Sequence, residues 1–429
     1  MLERRFALRS HGTTISREII AGLTTFLAMA YITIVNPAIL SETGMDFGAV
    51  FVATCVAAAV GTLLMGVLAN YPVALAPGMG QNAFFTYAVV LGGGHSWQTA
   101  LGAVFVSGVL FIVLSVLPFR EWLINAIPRN LKLGMAGGIG LFLGFIALQN
   151  AGIIVDNPAT LVSLGDMTSF APAMCIAGFV VIAALSSRGF SGAVIVGILA
   201  AAAVGWVTGE VEFKGVVAAV PSIAPVALQL DIAGALQLSM LTVVLSFLIV
   251  DVFDTAGTLV GVATRANLLD ANHKLPRLRP ALLADSGATV VGALAGTSST
   301  TSFIESGAGV EAGGRTGLTA VACGVAFLLC LFFAPLASSV PAYATASALL
   351  FVACLMARSL AELDWTDITE SAPAVIAAVT MPLSYSIADG IGLGFISYAL
   401  IKVVAGQAHR CAPVVYVIAA IFVAKYVVL

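Results

Sequence analysis

The sequence has very little charge. Of its 429 residues, 9% are Asp, Glu, Lys or Arg, whereas 60% are hydrophobic. An ordinary soluble domain carries about 25% charged residues, so a soluble globule could not cover this much apolar surface. The formal net charge is −3 and no basic stripe is present, which excludes nucleic acid as a partner. The composition therefore predicts an integral membrane protein embedded in a lipid bilayer.

The motifs of nucleotide hydrolysis and of common active sites are also missing. No lysine follows a glycine, so a G-K-[ST] phosphate loop cannot be present. Neither an H-E-x-x-H nor a G-x-S-x-G motif occurs, and all four histidines fall in predicted loops. We therefore expect no enzyme, no cofactor and no metal site, and any transport must run on an ion gradient. The histidines are His11, His95, His273 and His409.

Cysteine is sparse and unpaired in the sequence. The six cysteines are scattered through apolar runs, and no C-x-x-C pair occurs. We interpret them as small buried hydrophobic side chains, without a disulfide framework.

What the sequence has instead is a series of long apolar runs. Runs of about 17–25 residues are typical of transmembrane helices, and β-barrel strands would alternate at every second residue. The runs predict fourteen spans, and a further run at 413–428 is interpreted as a short extra helix. The spans lie at about 19–40, 49–68, 75–91, 97–118, 131–149, 170–187, 191–208, 236–260, 280–296, 300–311, 316–334, 342–357, 372–388 and 390–405.

The basic residues give the orientation. With fourteen spans, every lysine and arginine except Lys214 and Lys425 falls on the same side as the N-terminus. Cytoplasmic loops carry an excess of Lys and Arg. We therefore expect residues 1–18 to be cytoplasmic and the protein to lie in a bacterial inner (plasma) membrane.

Two spans are too rich in Gly, Pro and hydroxyl residues to be continuous helices. The third begins with Pro77-Gly78-Met79-Gly80, and the tenth begins with Gly296-Thr297-Ser298-Ser299. They lie about half the chain apart, which indicates a seven-plus-seven repeat, inverted because seven is odd. Paired broken spans in an inverted repeat are typical of a transporter's binding site near the membrane midplane. The alternative is that the glycines only allow close helix packing.

The few carboxylates within spans mark the same region. Asp251 and Asp254 are three residues apart in span 8, which predicts one helical face, and Glu305 lies in span 10. Ionisable residues within a membrane usually face a cavity or a proton path, although they could also cap broken backbone. We expect Asp285 instead to form a surface ion pair with Arg279. Glu311 and Arg315 have the i,i+4 spacing of a helix-end salt bridge.

Four sequence strings resemble a known family. They are Ala21-Gly22-Leu23-Thr24-Thr25-Phe26-Leu27-Ala28-Met29-Ala30-Tyr31, the segment from Asn70 to Phe85, Phe253-Asp254-Thr255-Ala256-Gly257-Thr258-Leu259, and Ile304-Glu305-Ser306 with Gly313-Gly314-Arg315-Thr316-Gly317-Leu318-Thr319-Ala320. They are similar to the purine permeases of the AzgA-like branch of the nucleobase-cation symporters. The resemblance runs nearly end to end and is greatest to the hypoxanthine/guanine subgroup.

The resemblance implies an all-α polytopic membrane protein with a core domain and a gate domain. Spans 1–4 and 8–11 would form the core, and spans 5–7 and 12–14 the gate. It also implies proton symport of hypoxanthine, guanine or adenine, with Asp254, Glu305 and Asn82 contacting the base. The predicted parts are an N-terminus at 1–18, core at 19–118, gate at 119–208, an outer linker at 209–235, core at 236–334 and gate with tail helix at 335–429.

The chemistry of a purine fits these residues. A flat base edged with donors and acceptors needs carboxylates, amide or backbone N–H groups and an apolar face. Asn36 takes the place of Asp254 in the repeat, although its Asn-Pro pair could instead break span 1. The predicted proton-coupling residues are Asp254, Glu305 and Asp251. The predicted substrate-binding residues are Asp254, Glu305, Asn82, Ala83, Phe84, Ile304, Phe303 and Asn36.

Three alternatives remain open at this point. One is a transporter of the same fold for xanthine or uracil. Another is a carrier of a small anion, which nearby acids would repel, and the third is a channel. The sequence does not rank the purines, and it leaves a homodimer open.

Overall fold

The computed structural model describes residues 2–116, 127–268 and 275–428. The predictions that concern Arg120, His273, Lys274 and the boundary at 118–119 fall outside these ranges. The helices of the first half are α1 Leu2–Phe6, α2 Ile15–Met29, α3 Ile32–Ser41, α4 Phe47–Leu64, α5 Met79–Ala83, α6 Trp97–Val116, α7 Arg129–Asn150, α8 Phe170–Ser187 and α9 Ala193–Thr208.

The second half repeats this helical organisation. Its helices are α10 Ile232–Ala235, α11 Leu241–Arg265, α12 Leu278–Ala295, α13 Ser306–Glu311, α14 Gly317–Cys330, α15 Ala334–Ser338, α16 Ala342–Ala357, α17 Ile368–Ser384, α18 Ile387–Val404 and α19 Pro413–Val428.

Each of the fourteen predicted spans has a helical counterpart within the described ranges. By length and composition, nine of the described helical segments are long and apolar enough to cross a membrane. Shorter apolar helices include α9 and α17. The prediction of a helical membrane protein is therefore confirmed.

Span 1 is kinked within its apolar run. Helix α2 ends at Met29 and α3 begins at Ile32, so the kink lies at Ala30 and Tyr31. Asn36 and Pro37 lie inside α3. The Asn-Pro pair therefore does not interrupt the helix.

Spans 3 and 10 begin as extended chain, as the sequence predicts. Strand β1, Leu75–Pro77, pairs antiparallel with β4, Thr300–Ser302, and every residue of both is buried. Backbone groups at membrane depth need partners. Besides the ladder, Thr62 of α4 hydrogen-bonds both the N–H and the C=O of Leu75, and Thr289 of α12 reaches the C=O of Thr300. Helix α5 then continues in π-helical form through Phe84–Gly92.

The helices pack as two groups. In one group, α2 packs on α14, α6 on α12, and α4 on both α12 and α14. In the other, α7 packs on α16 and α17, α8 on α9 and α16, and α17 on α18. The paired strands lie in the first group, against α4, α11 and α12. The domain boundaries given above stay a prediction.

The tail forms a helix that runs antiparallel to α18. Lys425 Nζ pairs with Asp389 Oδ1 at 2.9 Å, and Tyr426 Oη donates to the same oxygen over 3.0 Å. At the other end, Tyr416 Oη donates to the Ala408 carbonyl over 3.3 Å. The last turn of α19 therefore lies beside the first turn of α18.

A β-hairpin between α7 and α8 was not predicted. Strand β2, Ile154–Asn157, pairs with β3, Leu161–Leu164. The Asn157 side chain accepts the N–H groups of Ala159 and Thr160, an Asx turn that closes the hairpin.

The cysteines differ in burial. Cys55, Cys175, Cys323 and Cys411 are buried, as expected, whereas Cys330 is half-buried and Cys354 is exposed. The interpretation as buried side chains is wrong for Cys354, because apolar residues on a membrane protein's outer face contact lipid instead of protein.

Candidate functional site

The paired strands bring two short helices together. Gly78 N–H donates to the Ser299 carbonyl, and Phe303 N–H donates to the Ala74 carbonyl, each over 2.9 Å. These bonds extend the ladder at both ends. Because the two strands run antiparallel, α5 and α13 begin at opposite ends of the strand pair. At each end, the beginning of one short helix therefore lies beside the strand from the other half of the chain.

Glu305 lies at the N-cap position of α13 and is half-buried. Tyr31 Oη, at the kink between α2 and α3, donates to Glu305 Oε1 over 2.7 Å. Tyr31 itself is buried. The kink in span 1 therefore places a hydroxyl donor on the carboxylate of span 10.

Asp254 lies near the middle of α11 and is exposed. Gly257, Val260 and Thr264 are exposed on the same helix, and a Cβ added at Gly257 would meet no atom within 4 Å. An ionisable side chain in contact with hydrocarbon would be costly, so we infer that this exposed face of α11 lines an aqueous path. The path, which we call the α11 path, leads from Asp254 to the end of α11 at Arg265.

Asn82 and Asn36 form a buried amide pair. Asn82 Nδ2 donates to Asn36 Oδ1 over 3.1 Å, and Asn36 Nδ2 donates to Thr54 and Thr297 over 2.7 and 2.8 Å. Within the described chain, the buried Asn82 Oδ1 has no hydrogen-bond partner. Asn36 thus holds Asn82 in place, whereas Asn82 keeps a free acceptor.

Asp251 does not share the environment of Asp254. Asp251 is buried and accepts from Gln81 Nε2 over 3.1 Å and from Thr289 Oγ1 over 2.9 Å. A step of three residues turns the helix by about 60°, which here separates a buried interface from the α11 path. The prediction of one common face for the two carboxylates is wrong in this respect.

Asp285 is also buried, so its predicted surface ion pair with Arg279 is wrong. The Asp285 carboxylate accepts from Thr255 Oγ1 over 2.6 Å and from Ser302 Oγ over 2.8 Å. Thr255 and Thr301 hydroxyls are 2.9 Å apart. Asp285 therefore belongs to the polar network behind β4.

The predicted salt bridge between Glu311 and Arg315 is wrong as well. Glu311 Oε1 lies 3.6 Å from Arg265 Nη1. The Arg315 guanidinium instead donates to the carbonyls of Val310 and Gly314 over 2.6 and 2.7 Å. The turn after α13 brings Arg315 back onto the backbone.

The apolar residues of the predicted site occupy different positions. Ala83, Phe84 and Phe303 are buried, and Phe84 packs edge-on against Phe247 with ring centroids 4.8 Å apart. Ile304 is exposed beside Glu305. In this conformation Ile304 is open to a ligand and the other three form the wall behind the site.

A lysine of the second helix group lies beside α11. Lys132 Nζ of α7 is 5.1 Å from the centroid of the Phe253 ring. Phe253 immediately precedes Asp254 in α11.

Several buried polar atoms around the strands have no hydrogen-bond partner in the described chain. Such atoms are costly unless a ligand or water satisfies them. They are Gln81 Oε1, Asn82 Oδ1, Ser298 Oγ, Ser299 Oγ and Thr300 Oγ1.

At the opposite end of α3 from the kink, a polar cluster joins the two helix groups. Tyr87 Oη donates to Glu42 Oε1 over 2.8 Å, and Asn150 Nδ2 donates to Tyr87 Oη over 3.1 Å. Tyr385 packs edge-on against Tyr87 at 6.0 Å and donates to Gln149. We call these five residues the Glu42 cluster.

Comparison with known proteins assigns the fold and the family. Residues 16–393 match the model of the Permease family, Xan_ur_permease. The chain is 50% identical to the adenine permease AdeP of Escherichia coli, over all of this chain and 96% of AdeP. It is 46% identical to the guanine/hypoxanthine permease PbuO of Bacillus subtilis, over 97% of this chain and 98% of PbuO.

The transmembrane domain of the cyanobacterial bicarbonate transporter BicA has a similar structure, with a TM-score of 0.67 at 15% identity, covering 87% of this chain and 96% of that domain. This likeness concerns the fold alone. It confirms the predicted seven-plus-seven inverted repeat with core and gate domains. The chain belongs to the Permease family, and it is a membrane transport protein and not an enzyme.

Proposed function

We propose that this protein takes up purine nucleobases together with protons, by alternating access. The observation that carries the proposal is the packing of α11, which carries the exposed Asp254, against α5 and α13, the second of which has Glu305 at its N-cap position. The relatives AdeP and PbuO are an adenine permease and a guanine/hypoxanthine permease, which supports the proposal.

The hydrogen-bonding groups suit a purine. Carboxylates accept ring N–H and exocyclic amine donors, and an amide supplies both a donor and an acceptor. Glu305, Asp254 and the free Oδ1 of Asn82 are such groups, and Ile304 offers an exposed apolar contact. Asn36 takes part through Asn82, since its own amide is already bonded within the protein.

A small anion fits less well, although Lys132 favours one. The Lys132 ammonium lies on the Phe253 ring, whereas Asp254 lies on α11 and Glu305 lies at the N-cap position of α13, which packs against α11. Carboxylates would repel an anion across a medium of low dielectric constant. BicA is a bicarbonate transporter, but at 15% identity the likeness concerns the fold and does not indicate a shared substrate.

The proton is assigned to the carboxylates. Closure of the path would enclose a carboxyl group that the open path leaves exposed, and enclosure in a site of low dielectric constant disfavours the ionised form, so such a group can take up and release a proton. Asp254 lies on the α11 path, and Glu305 lies at the N-cap position of α13, which packs against α11. Asp251 and Asp285 have amide and hydroxyl partners, and these can donate to a carboxylate or accept from a carboxylic acid.

Alternating access follows from the asymmetry of the site. The α11 path is open towards Arg265, and the Glu42 cluster joins the two helix groups at the other end. With the N-terminus cytoplasmic, this conformation faces inwards. We assign the first helix group to a core domain and the second to a gate domain, with the boundaries predicted from the sequence.

Competition uptake tests the substrate class. In cells that lack other purine carriers, unlabelled adenine, hypoxanthine and guanine should compete for radiolabelled adenine uptake, and bicarbonate should not. The identities of 50% to AdeP and 46% to PbuO do not support the expected bias towards hypoxanthine and guanine, so adenine is the first labelled substrate. Competition by xanthine or uracil alone, or uptake driven by bicarbonate exchange, would contradict the proposal.

Replacing Asn82 by alanine should weaken purine binding. The change removes one amide contact and leaves its partner unsatisfied, at a cost of about 1–3 kcal/mol, or roughly 5- to 150-fold in apparent affinity. Inhibition constants for adenine in Asn82→Ala and in wild type give the measurement. The control is Asn157→Ala, in the exposed hairpin turn, which should leave the constants unchanged. An unchanged constant in Asn82→Ala would remove Asn82 from the site.

The Glu42 cluster should respond to pH. Glu42 follows the last residue of α3, and partial desolvation by the packed protein raises the pKa of its carboxyl group, while hydrogen bonds from Tyr87 and Asn150 act to lower it. A pKa raised in the joined cluster means that this arrangement binds the proton more tightly than a separated one. The joined arrangement should therefore gain population as pH falls through the raised pKa.

Spin-label distances between residues 43 and 157, in a background without other reactive cysteines, measure this equilibrium. Wild type should shift to the shorter distance as pH falls. Glu42→Gln, which is neutral throughout, should stay at the shorter distance. Asp46→Asn is the matched control, since Asn also caps a helix such as α4. An identical pH response in Glu42→Gln would assign the titration to another group.

A further inference from the structure

One apolar pocket has no carboxylate in its lining. Its cavity volume is about 460 Å³, and its walls come from α2, α3 and α14 in one helix group and from α9 in the other. Thr33 and Cys330 are the polar side chains of its lining. The Thr33 hydroxyl is bonded to the Ala30 carbonyl over 2.8 Å. The pocket therefore offers almost no hydrogen bond to a ligand.

The rim of the pocket consists of exposed apolar side chains. Leu23 is 46% exposed, Leu27 47% and Leu329 61%. In a membrane-spanning chain, such a surface contacts the hydrocarbon of the bilayer. Water needs two to four polar partners to occupy a buried site, which this pocket does not supply. The occupant must therefore be apolar and must enter from the membrane.

We propose that the pocket binds one acyl chain of a membrane lipid. At about 30 Å³ for each water-sized group, the volume holds on the order of fifteen such groups, which matches one acyl chain. A helix is about 10 Å wide and rises 5.4 Å per turn, so the same volume admits roughly one turn. A helix of a second copy of this chain therefore does not fit.

The bound acyl chain would lie between helices that belong to different helix groups. Ile195 and Leu199 of α9 face Ala326 of α14 and Ala30 of the span 1 kink across the pocket. The residue after Ala30 is Tyr31, which donates to Glu305. A bound acyl chain thus separates α9 from the kink that supports the carboxylate. Its effect on transport rests on the proposed function, whereas its binding does not.

Photolabelling tests the binding step on the full chain in liposomes. The probe is phosphatidylethanolamine with a diazirine near the end of one acyl chain, and labelled peptides are mapped by mass spectrometry. Peptides of α2, α9 and α14 that line the pocket should carry at least five times the label of the α8 peptide with Val180, which is 56% exposed. Equal labelling of both surfaces would reduce the pocket to ordinary lipid contact and overturn the proposal.

Two variants fill the pocket from opposite walls. Ala326→Phe and Leu199→Trp should each lower the pocket labelling at least fivefold, and Val180→Phe, on the outer face of α8, should not. Variants that elute like wild type in size-exclusion chromatography are taken as folded. Because two positions are substituted separately, the test still works if one variant does not fold. Undiminished labelling in a folded variant would contradict the proposal. Because this readout needs no substrate, it separates failure of the lipid site from failure of the transport assignment.

Discussion

Replacing Glu305 by glutamine is expected to abolish high-affinity purine uptake. The amide keeps the size of the side chain but loses the negative charge. Tyr31 Oη donates to this carboxylate over 2.7 Å, and we propose that the base donates to it as well. Hydrogen bonds to charged groups contribute about 1.5–3 kcal/mol, so apparent affinity should fall roughly 10- to 150-fold. The measurement is the concentration dependence of initial adenine uptake, normalised to the protein in the membrane.

Glu311→Gln is the matched control. Glu311 ends the same helix, is exposed and forms a 3.6 Å pair with Arg265. Exposed ion pairs contribute about 0–1 kcal/mol, so this variant should stay within roughly fivefold of wild type. Wild-type affinity in Glu305→Gln, or an equal loss in both variants, would refute the role of Glu305.

Replacing Asp254 by asparagine is expected to abolish accumulation while exchange continues. An amide can still hydrogen-bond a base, but it cannot take up and release a proton. A base that enters with one proton moves one charge, and 100 mV supplies about 2.3 kcal/mol, or roughly fifty-fold accumulation. Asp254→Asn should therefore equilibrate labelled adenine across the membrane without concentrating it.

Counterflow in proteoliposomes separates these two activities. The control is Asp231→Asn, at the N-cap of α10 in the outer linker, where Asn caps as well as Asp. It should accumulate and exchange like wild type. Accumulation by Asp254→Asn would move the proton to another carboxylate, with Asp251 and Asp285 as the next to be tested.

Local sequence was sufficient to predict the two broken spans. Pro77 and Gly78 oppose a continuous helix at the start of span 3, and the run from Gly296 to Ser302 does so in span 10. Their spacing along the chain predicted the repeat, which placed both segments at one site. The strand pairing between Ala76 and Thr301 follows from that symmetry.

The side-chain environments could not be predicted in the same way. Asp285 lies seven residues after the start of α12, near a basic segment, and only the position of Thr255 and Ser302 in space makes it a buried acceptor. Tyr31 meets Glu305 across 274 positions of sequence, through a kink that no proline marks. The environment of each of these side chains is set by contacts between segments that are distant in the sequence.

The separation of Asp251 from Asp254 has the same origin. Their spacing correctly puts them on neighbouring positions of α11, but burial changes within that small rotation because α12 and α5 cover Asp251 and not Asp254. Lys132 likewise reaches Phe253 from a different helix group. The spacing of residues in the sequence predicts their relative positions on one helix, whereas the burial and contacts of these side chains depend on neighbouring helices.

The most direct test of the account is adenine accumulation by purified protein in liposomes under imposed gradients. Proteoliposomes with an acidic exterior and a negative interior should concentrate adenine, and a protonophore should abolish the accumulation. Adding sodium should leave the adenine accumulation unchanged, with or without the proton gradient. Equal accumulation with and without a proton gradient, or accumulation that requires sodium, would contradict proton-coupled purine uptake.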